Sequence, residues 1–202
     1  MKTTGLSVFY DVDDTLWSIN PCIAKEMGID YNLLDEFRTR ENKHLTPEQI
    51  EFVVASYANA HFYEPAPFFV GVEKILDLEK ELGVTVRIVS NSYSEEVAEI
   101  KRRRLLEQIP GLTEQHLFLQ LSSEQHKDKK TWPFVPTVLV DDSPYNVASS
   151  TATHSFVPKM SYNSTEKALG VMQDRAFSYV EYGNLDETFR AVRDFLLEFA
   201  QK

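Results

Sequence analysis

Asp11 and Asp13 stand two residues apart, directly after an apolar run at residues 6–10. In extended backbone, residues two apart point the same way, so both carboxylates aim at one small volume. Phosphoryl transfer can use such a pair unequally. One carboxylate attacks phosphorus, and the other manages the proton of the leaving group. An Asp-rich turn can also do no more than end a strand, so the pair needs company. Ser90 and Asn91 follow a second, β-branched run at residues 84–89, and a hydroxyl there can donate to a phosphate oxygen. Asp141 and Asp142 follow a third run at residues 137–140. Two more carboxylates at a strand end suit a hard cation such as Mg²⁺, which takes one or two carboxylates and keeps waters. Lys127, Lys129 and Lys130 lie between them. A phosphoryl group beside several carboxylates needs a cation besides the metal.

Strands must carry these groups. Besides residues 6–10 and 84–89, residues 117–121, 137–140, 154–157 and 177–180 read as strands, and residues 69–82, 95–106 and 185–199 as helices with apolar spacing. Strands alternating with helices imply an α/β fold: a three-layer, Rossmann-like parallel sheet covered on both faces. Ligands of such sheets sit beyond the carboxyl ends of the strands, where the polar groups fall. Residues 18–63 hold no convincing strand. Asn20-Pro21 reads as a cap followed by proline at the first helical position, and Thr46 and Gln49 have capping-box spacing. This segment reads as a small α-helical cap, residues 18–63, inserted into a core of residues 1–17 and 64–202, with Glu64-Pro65-Ala66-Pro67 as the return hinge.

Three polar strand ends and a lysine, in this order, resemble the haloacid dehalogenase-like superfamily of hydrolases. Its first motif, Asp-x-Asp-x-Thr, is matched by Asp11, Asp13 and Thr15; its Ser/Thr motif by Ser90; its paired aspartates by Asp141 and Asp142; its lysine more loosely. The resemblance runs from residue 5 to about residue 160. It implies an aspartyl-phosphate on Asp11, with Asp13 protonating the leaving oxygen and then activating water. It implies Mg²⁺ held by the Asp11 carboxylate, the Asp13 backbone carbonyl and Asp141, with Asp142 binding or orienting its waters. Ser90, with Asn91 beside it, and one lysine would hold the phosphoryl oxygens, Lys130 ahead of Lys129 and then Lys127. Thr15 would steady the first loop. The expected function is Mg-dependent hydrolysis of a small phosphate monoester.

The position and size of the helical segment resemble the cap of the superfamily's 5′-(deoxy)ribonucleotidase branch, and Trp17, Phe37, Tyr57, Phe62 and Tyr63 are candidates for stacking on a base. Thr15-Leu16-Trp17 equally resembles the branch of small magnesium-dependent phosphatases, whose substrates are sugar phosphates or phosphotyrosine-like compounds. An alternative of another class is a phosphate-binding regulatory module without turnover.

Acidic residues outnumber basic ones, 31 to 21, for a formal net charge of −10. That argues against binding a nucleic-acid polymer. A small phosphorylated substrate is compatible with it, because a metal and a few cations can reverse the field in one cleft. The single cysteine, Cys22, reads as a small apolar filler and permits no disulfide within the chain. With no membrane-spanning run and no signal pattern at Met1, the expectation is a cytoplasmic protein with no membrane partner. The basic run Lys101-Arg102-Arg103-Arg104 reads as a solvated helix end. Asn163-Ser164-Thr165, although a sequon, reads as a turn and helix start.

Overall fold

The structure is a computed structural model that describes residues 5–34, 38–121 and 135–201. Its strands are β1 (Ser7–Tyr10), β2 (Thr85–Ser92), β3 (Leu117–Leu121), β4 (Val138–Val140), β5 (His154–Pro158) and β6 (Phe177–Val180). All six pair in parallel, in the order β3-β2-β1-β4-β5-β6. Parallel strands are covered on both faces, and the sequence supplies apolar residues for both. Val8, Tyr10, Val86, Ile88, Val138 and Val140 join one large cluster with Leu78, Leu105, Val192 and Leu196. Phe9, Val89 and Leu139 form another. Tyr10 is level with Ile88 on one side and Val140 on the other. The chain order reverses between β1 and β4, which makes the space beyond their carboxyl ends the natural ligand crevice.

The helices are α1 (Asn20–Met27), α2 (Pro47–Ser56), α3 (Asp77–Leu82), α4 (Glu95–Gln108), α5 (Pro144–Ser149), α6 (Glu166–Met172) and α7 (Leu185–Phe199). Among the described residues, 18–63 contain α1, α2 and three short 3₁₀ turns, and no named strand. Both bonds of the capping box that starts α2 form: Gln49 N–H donates to Thr46 Oγ1 at 3.3 Å, and Thr46 N–H donates to Gln49 Oε1 at 2.8 Å. At the ends of this segment the two connections to the sheet pair with each other. Ser18 N–H donates to the Pro67 carbonyl, and Phe69 N–H to the Leu16 carbonyl, each at 2.9 Å. Among the described residues no helix is long and apolar enough to cross a membrane.

Three local expectations are corrected. Asn20 does not cap α1 with its side chain. The buried Asp14 carboxylate does so from upstream, accepting from Ile19 N–H at 3.1 Å and Asn20 N–H at 3.2 Å. Residues 69–82 are not one helix but a 3₁₀ turn at Val72–Lys74 followed by α3. Tertiary pairing overrides helical spacing here. Phe68 bridges Trp17, Val70 bridges Asn184, and Gly71 turns away with φ +90°, its Cα so close to Asp186 that a Cβ would lie 2.7 Å from Oδ1. Finally, Ser90 and Asn91 lie within β2 rather than after it, because their backbones pair with Leu119 and Gln120 of β3.

Candidate functional site

The loop after β1 and the loop after β4 face each other. Asp11 N–H continues the ladder to the Val140 carbonyl at 2.9 Å, which sets Asp11 level with the start of Asp141-Asp142. One carboxylate oxygen from each of Asp11, Asp141 and Asp142 lies within 4.8 Å of the other two, and all three residues are buried. Thr15 ties the loops together: its Oγ1 donates to Asp142 Oδ1 at 3.3 Å and accepts from Asp142 N–H at 3.2 Å. Asp141 is aimed by Ser143 N–H at 2.9 Å and by Asn146 Nδ2 at 3.1 Å. Tyr162 donates its hydroxyl to Asp142 Oδ2, and Asn163 Nδ2 donates to the Asp142 carbonyl at 2.9 Å. Asn163 is fully buried, so the sequon there is part of this brace and no glycan site.

The opposite half of the site is built by β2 and α4, and here the sequence reading is corrected. Lys101 is not at a solvated helix end. It is fully buried, and its Nζ donates to Asp13 Oδ2 at 2.6 Å, Ser90 Oγ at 3.0 Å and the Asn91 carbonyl at 2.9 Å. Three N–H bonds are thereby used on three acceptors. Lys127, Lys129 and Lys130, the lysines singled out from sequence, lie outside the described residues. A signal for Lys101 did exist. It occupies the same stripe of α4 as the buried Val97 and Leu105, four residues to either side. Among the described residues, buried Asn91 Oδ1 in this half has no hydrogen-bond partner.

Charge is distributed unevenly. Burial, then Asp11 and Asp141, hold the Asp142 carboxyl well above the usual carboxylate range. Burial also raises Asp13, while Lys101 pulls it part of the way back. Asp14 is pushed up to about 8 by burial and by Asp13, against the hydrogen bonds it accepts from Asn20, Ile19 and Tyr182. Three mutually close, buried carboxylates are a set of hard oxygen ligands. They fit a divalent cation of the Mg²⁺ type.

No protein-family model and no curated protein matches the chain. Solved structures do. A hydrolase from Pseudomonas syringae superposes with a TM-score of 0.54 at 16% identity, covering 93% of this chain and 99% of that one. A protein from Bacteroides vulgatus assigned as a β-phosphoglucomutase gives 0.54 at 15% identity, over 100% of this chain and 92% of that one. One from Bacteroides fragilis assigned as a haloacid dehalogenase-like hydrolase gives 0.50 at 15% identity, over 90% and 97%. The chain has the haloacid dehalogenase-like fold.

Within that fold, the aromatic residues near the helical segment divide into two groups. Trp17, Phe62 and Tyr63 are buried in the large core cluster, so no face of theirs is open to a base. Phe37 lies outside the described residues. Tyr57 is half-buried, donates its hydroxyl to Asn20 Oδ1, and has its ring centroid 6.2 Å from that of Tyr93, which is 47% exposed. Burial, then Asp13 and Asp11, push the Tyr93 hydroxyl above its usual range. Further links join segment 18–63 to the rest of the haloacid dehalogenase-like core: Arg38 over the Tyr145 ring at 4.3 Å, Lys167 to Glu41 at 2.6 Å and Ser94 Oγ to the Ala58 carbonyl at 3.0 Å.

Proposed function

We propose that the protein is a Mg²⁺-dependent phosphatase that hydrolyses a small phosphate monoester through an aspartyl-phosphate on Asp11. The observation that carries this reading is the meeting, at the ends of β1, β2 and β4, of a buried carboxylate trio with Lys101, Ser90 and Asp13. An acidic turn that only ended a strand would have no reason to gather a buried lysine.

An Asp11 oxygen forms a bond to phosphorus while the bond to the leaving oxygen breaks. The electron pair goes to that oxygen, which takes a proton from Asp13. Asp13 then accepts a proton from water as the water oxygen attacks phosphorus, and the electron pair of the phosphorus–Asp11 bond returns to the carboxylate. Lys101 and Ser90 donate to the phosphoryl oxygens throughout, in a buried setting where such donors act strongly. Asp11, Asp141 and Asp142 would hold Mg²⁺, with the Asp13 carbonyl as a further ligand, and the ion would supply charge neutralisation between the nucleophile and the phosphoryl group. Lys101 joins Lys130, Lys129 and Lys127 as a candidate for the phosphate-binding lysine.

Residues 18–63 act as the cap over this site, with residues 1–17 and 64–202 as the core. Burial of Trp17, Phe62 and Tyr63 removes most of the stacking platform that a nucleotidase would use. The reading therefore leans to a sugar phosphate or similar ester, with Tyr57 and Tyr93 flanking the leaving group. Phosphate release from nucleotide, sugar-phosphate and aryl-phosphate panels, with and without Mg²⁺, tests both levels. No Mg²⁺-dependent release from any panel rejects the phosphatase reading; release from nucleotides alone rejects the sugar-phosphate preference.

A further inference from the structure

Asp13 has both carboxylate oxygens occupied, by different kinds of donor. Oδ2 accepts from Lys101 Nζ at 2.6 Å, and Oδ1 accepts from the indole Nε1–H of Trp17 at 2.9 Å. We propose that Trp17 is a positioning residue, whose N–H pins Oδ1 of Asp13 and so reserves Oδ2 as the oxygen that passes the proton to the leaving group. This inference rests on the phosphatase reading above and assigns a role within that site to Trp17.

The argument is geometric. The terminal torsion of an Asp side chain is broad and roughly two-fold, so an untethered carboxylate exchanges its oxygens easily. A directional N–H on one oxygen removes that freedom and orients the other. The two donors are not equivalent. Lys101 is an adaptable cation that also serves Ser90 and Asn91, and an incoming phosphoryl oxygen competes for the proton it lends to Oδ2. Trp17 is fixed. It is fully buried, with Phe68 at 5.3 Å and Tyr63 at 5.9 Å between ring centroids, and the Arg104 guanidinium lies 5.1 Å from its ring centroid. Arg104 also lies 4.9 Å from the Phe68 ring centroid and donates to the Tyr63 carbonyl. Trp17 itself bridges Asp13 on one side and Phe68 on the other. The pin is thus anchored where both connections to the helical segment leave the core. When the bond to phosphorus breaks, the leaving oxygen keeps the electron pair and takes the proton from Oδ2, while Oδ1 stays on the indole.

The competing view is that this hydrogen bond merely closes a turn between residues four apart. Leaving-group dependence separates the two. Full-length protein with Mg²⁺ is assayed for kcat/KM, which reports steps through departure of the leaving group, on p-nitrophenyl phosphate and on an alkyl phosphate. Nitrophenolate leaves without a proton and an alkoxide does not, so Trp17→Phe is expected to lower the alkyl value about 10- to 100-fold and the nitrophenyl value less than about threefold. Asp13→Asn should give the same split, larger. An equal loss on both esters from Trp17→Phe overturns the inference while leaving the phosphatase reading intact. Failure of the wild-type protein to hydrolyse either ester removes that reading and the inference with it. Because Trp17 is fully buried, a second variant carries benzothienylalanine at position 17, which keeps the bicyclic shape and lacks the N–H. The same split is expected from it, and wild-type values on both esters would overturn the assignment even if Trp17→Phe does not fold.

Discussion

The β4 side and the β2 side of the site solve opposite electrostatic problems. On the β4 side, Asp141 and Asp142 join Asp11 in a buried trio whose mutual repulsion, added to burial, lifts the Asp142 carboxyl far up. On the β2 side, Asp13 meets a cation that the chain itself supplies, the fully buried Lys101. The β2 side carries its cation on α4, and the β4 side gathers carboxylates of the kind that hold a divalent cation. A phosphoryl group placed between them would meet a fixed cation on one side and an exchangeable one on the other.

The largest expected effect comes from the residue both sides share. Asp11→Asn should cost more than about 10³-fold in kcat with Mg²⁺ saturating, since it removes the proposed nucleophile. A circular dichroism spectrum and melting temperature no worse than wild type should accompany it, because it also relieves the trio. Appreciable turnover in this variant would end the covalent mechanism. Next, if Lys101 holds the phosphoryl group as proposed, Lys101→Met should lower kcat/KM about 10²- to 10³-fold, and extra Mg²⁺ should not restore it. Asp142→Asn, by contrast, should be partly restored by raising Mg²⁺. Equal response of the two variants to Mg²⁺ would erase the distinction drawn between the two sides.

The β4 side was legible in sequence and the β2 side only in part, for a physical reason. Asp11, Asp13, Asp141 and Asp142 take their positions from strands that immediately precede them, so local pattern and parallel topology bring them together. Lys101 is delivered from the middle of α4, inside a run of four basic residues. Charge content hides it; only its spacing from Val97 and Leu105 marks the buried stripe. In sequence Asp14 reads as one more acidic residue of a turn, yet with φ +54° it caps α1 from outside the helix. The break at Gly71 was illegible because it depends on Val70 meeting Asn184, over a hundred residues on. Tyr162 is a similar case: it reaches Asp142 only because β5 lies beside β4.

Tyr162 gives the next test. Tyr162→Phe keeps the ring and removes the donor on Asp142 Oδ2. Supporting bonds to ligating carboxylates tune metal affinity, so the Mg²⁺ concentration for half-maximal activity should rise about tenfold, with kcat at saturating Mg²⁺ little changed. A fall in kcat without a change in Mg²⁺ response would place Tyr162 on the substrate instead of on the metal's carboxylates.

The smallest expected effect probes whether the negative charge gathered at the ends of β1 and β4 reaches beyond the trio to Asp14. Its carboxyl is pushed from 3.8 up to about 8. Between those values the folded protein keeps a proton that the unfolded chain has released, so this group's contribution to stability is full below about 4 and is lost as pH rises through about 8. Other carboxylates titrate over the same range, so the useful quantity is a difference between proteins. Asn at position 14 can still accept from Ile19 and Asn20 N–H but never carries charge. The melting temperature of Asp14→Asn minus that of wild type, measured without metal, should therefore climb steadily from pH 5 to pH 9, by a few degrees, at about 2–4 °C per kcal/mol for a chain of this size. A difference that stays flat with pH would mean that Asp14 is already ionised in the folded protein. The Tyr182 hydroxyl, 3.2 Å from its Oδ1, and the two backbone N–H groups would then be enough to hold a full charge beside the site.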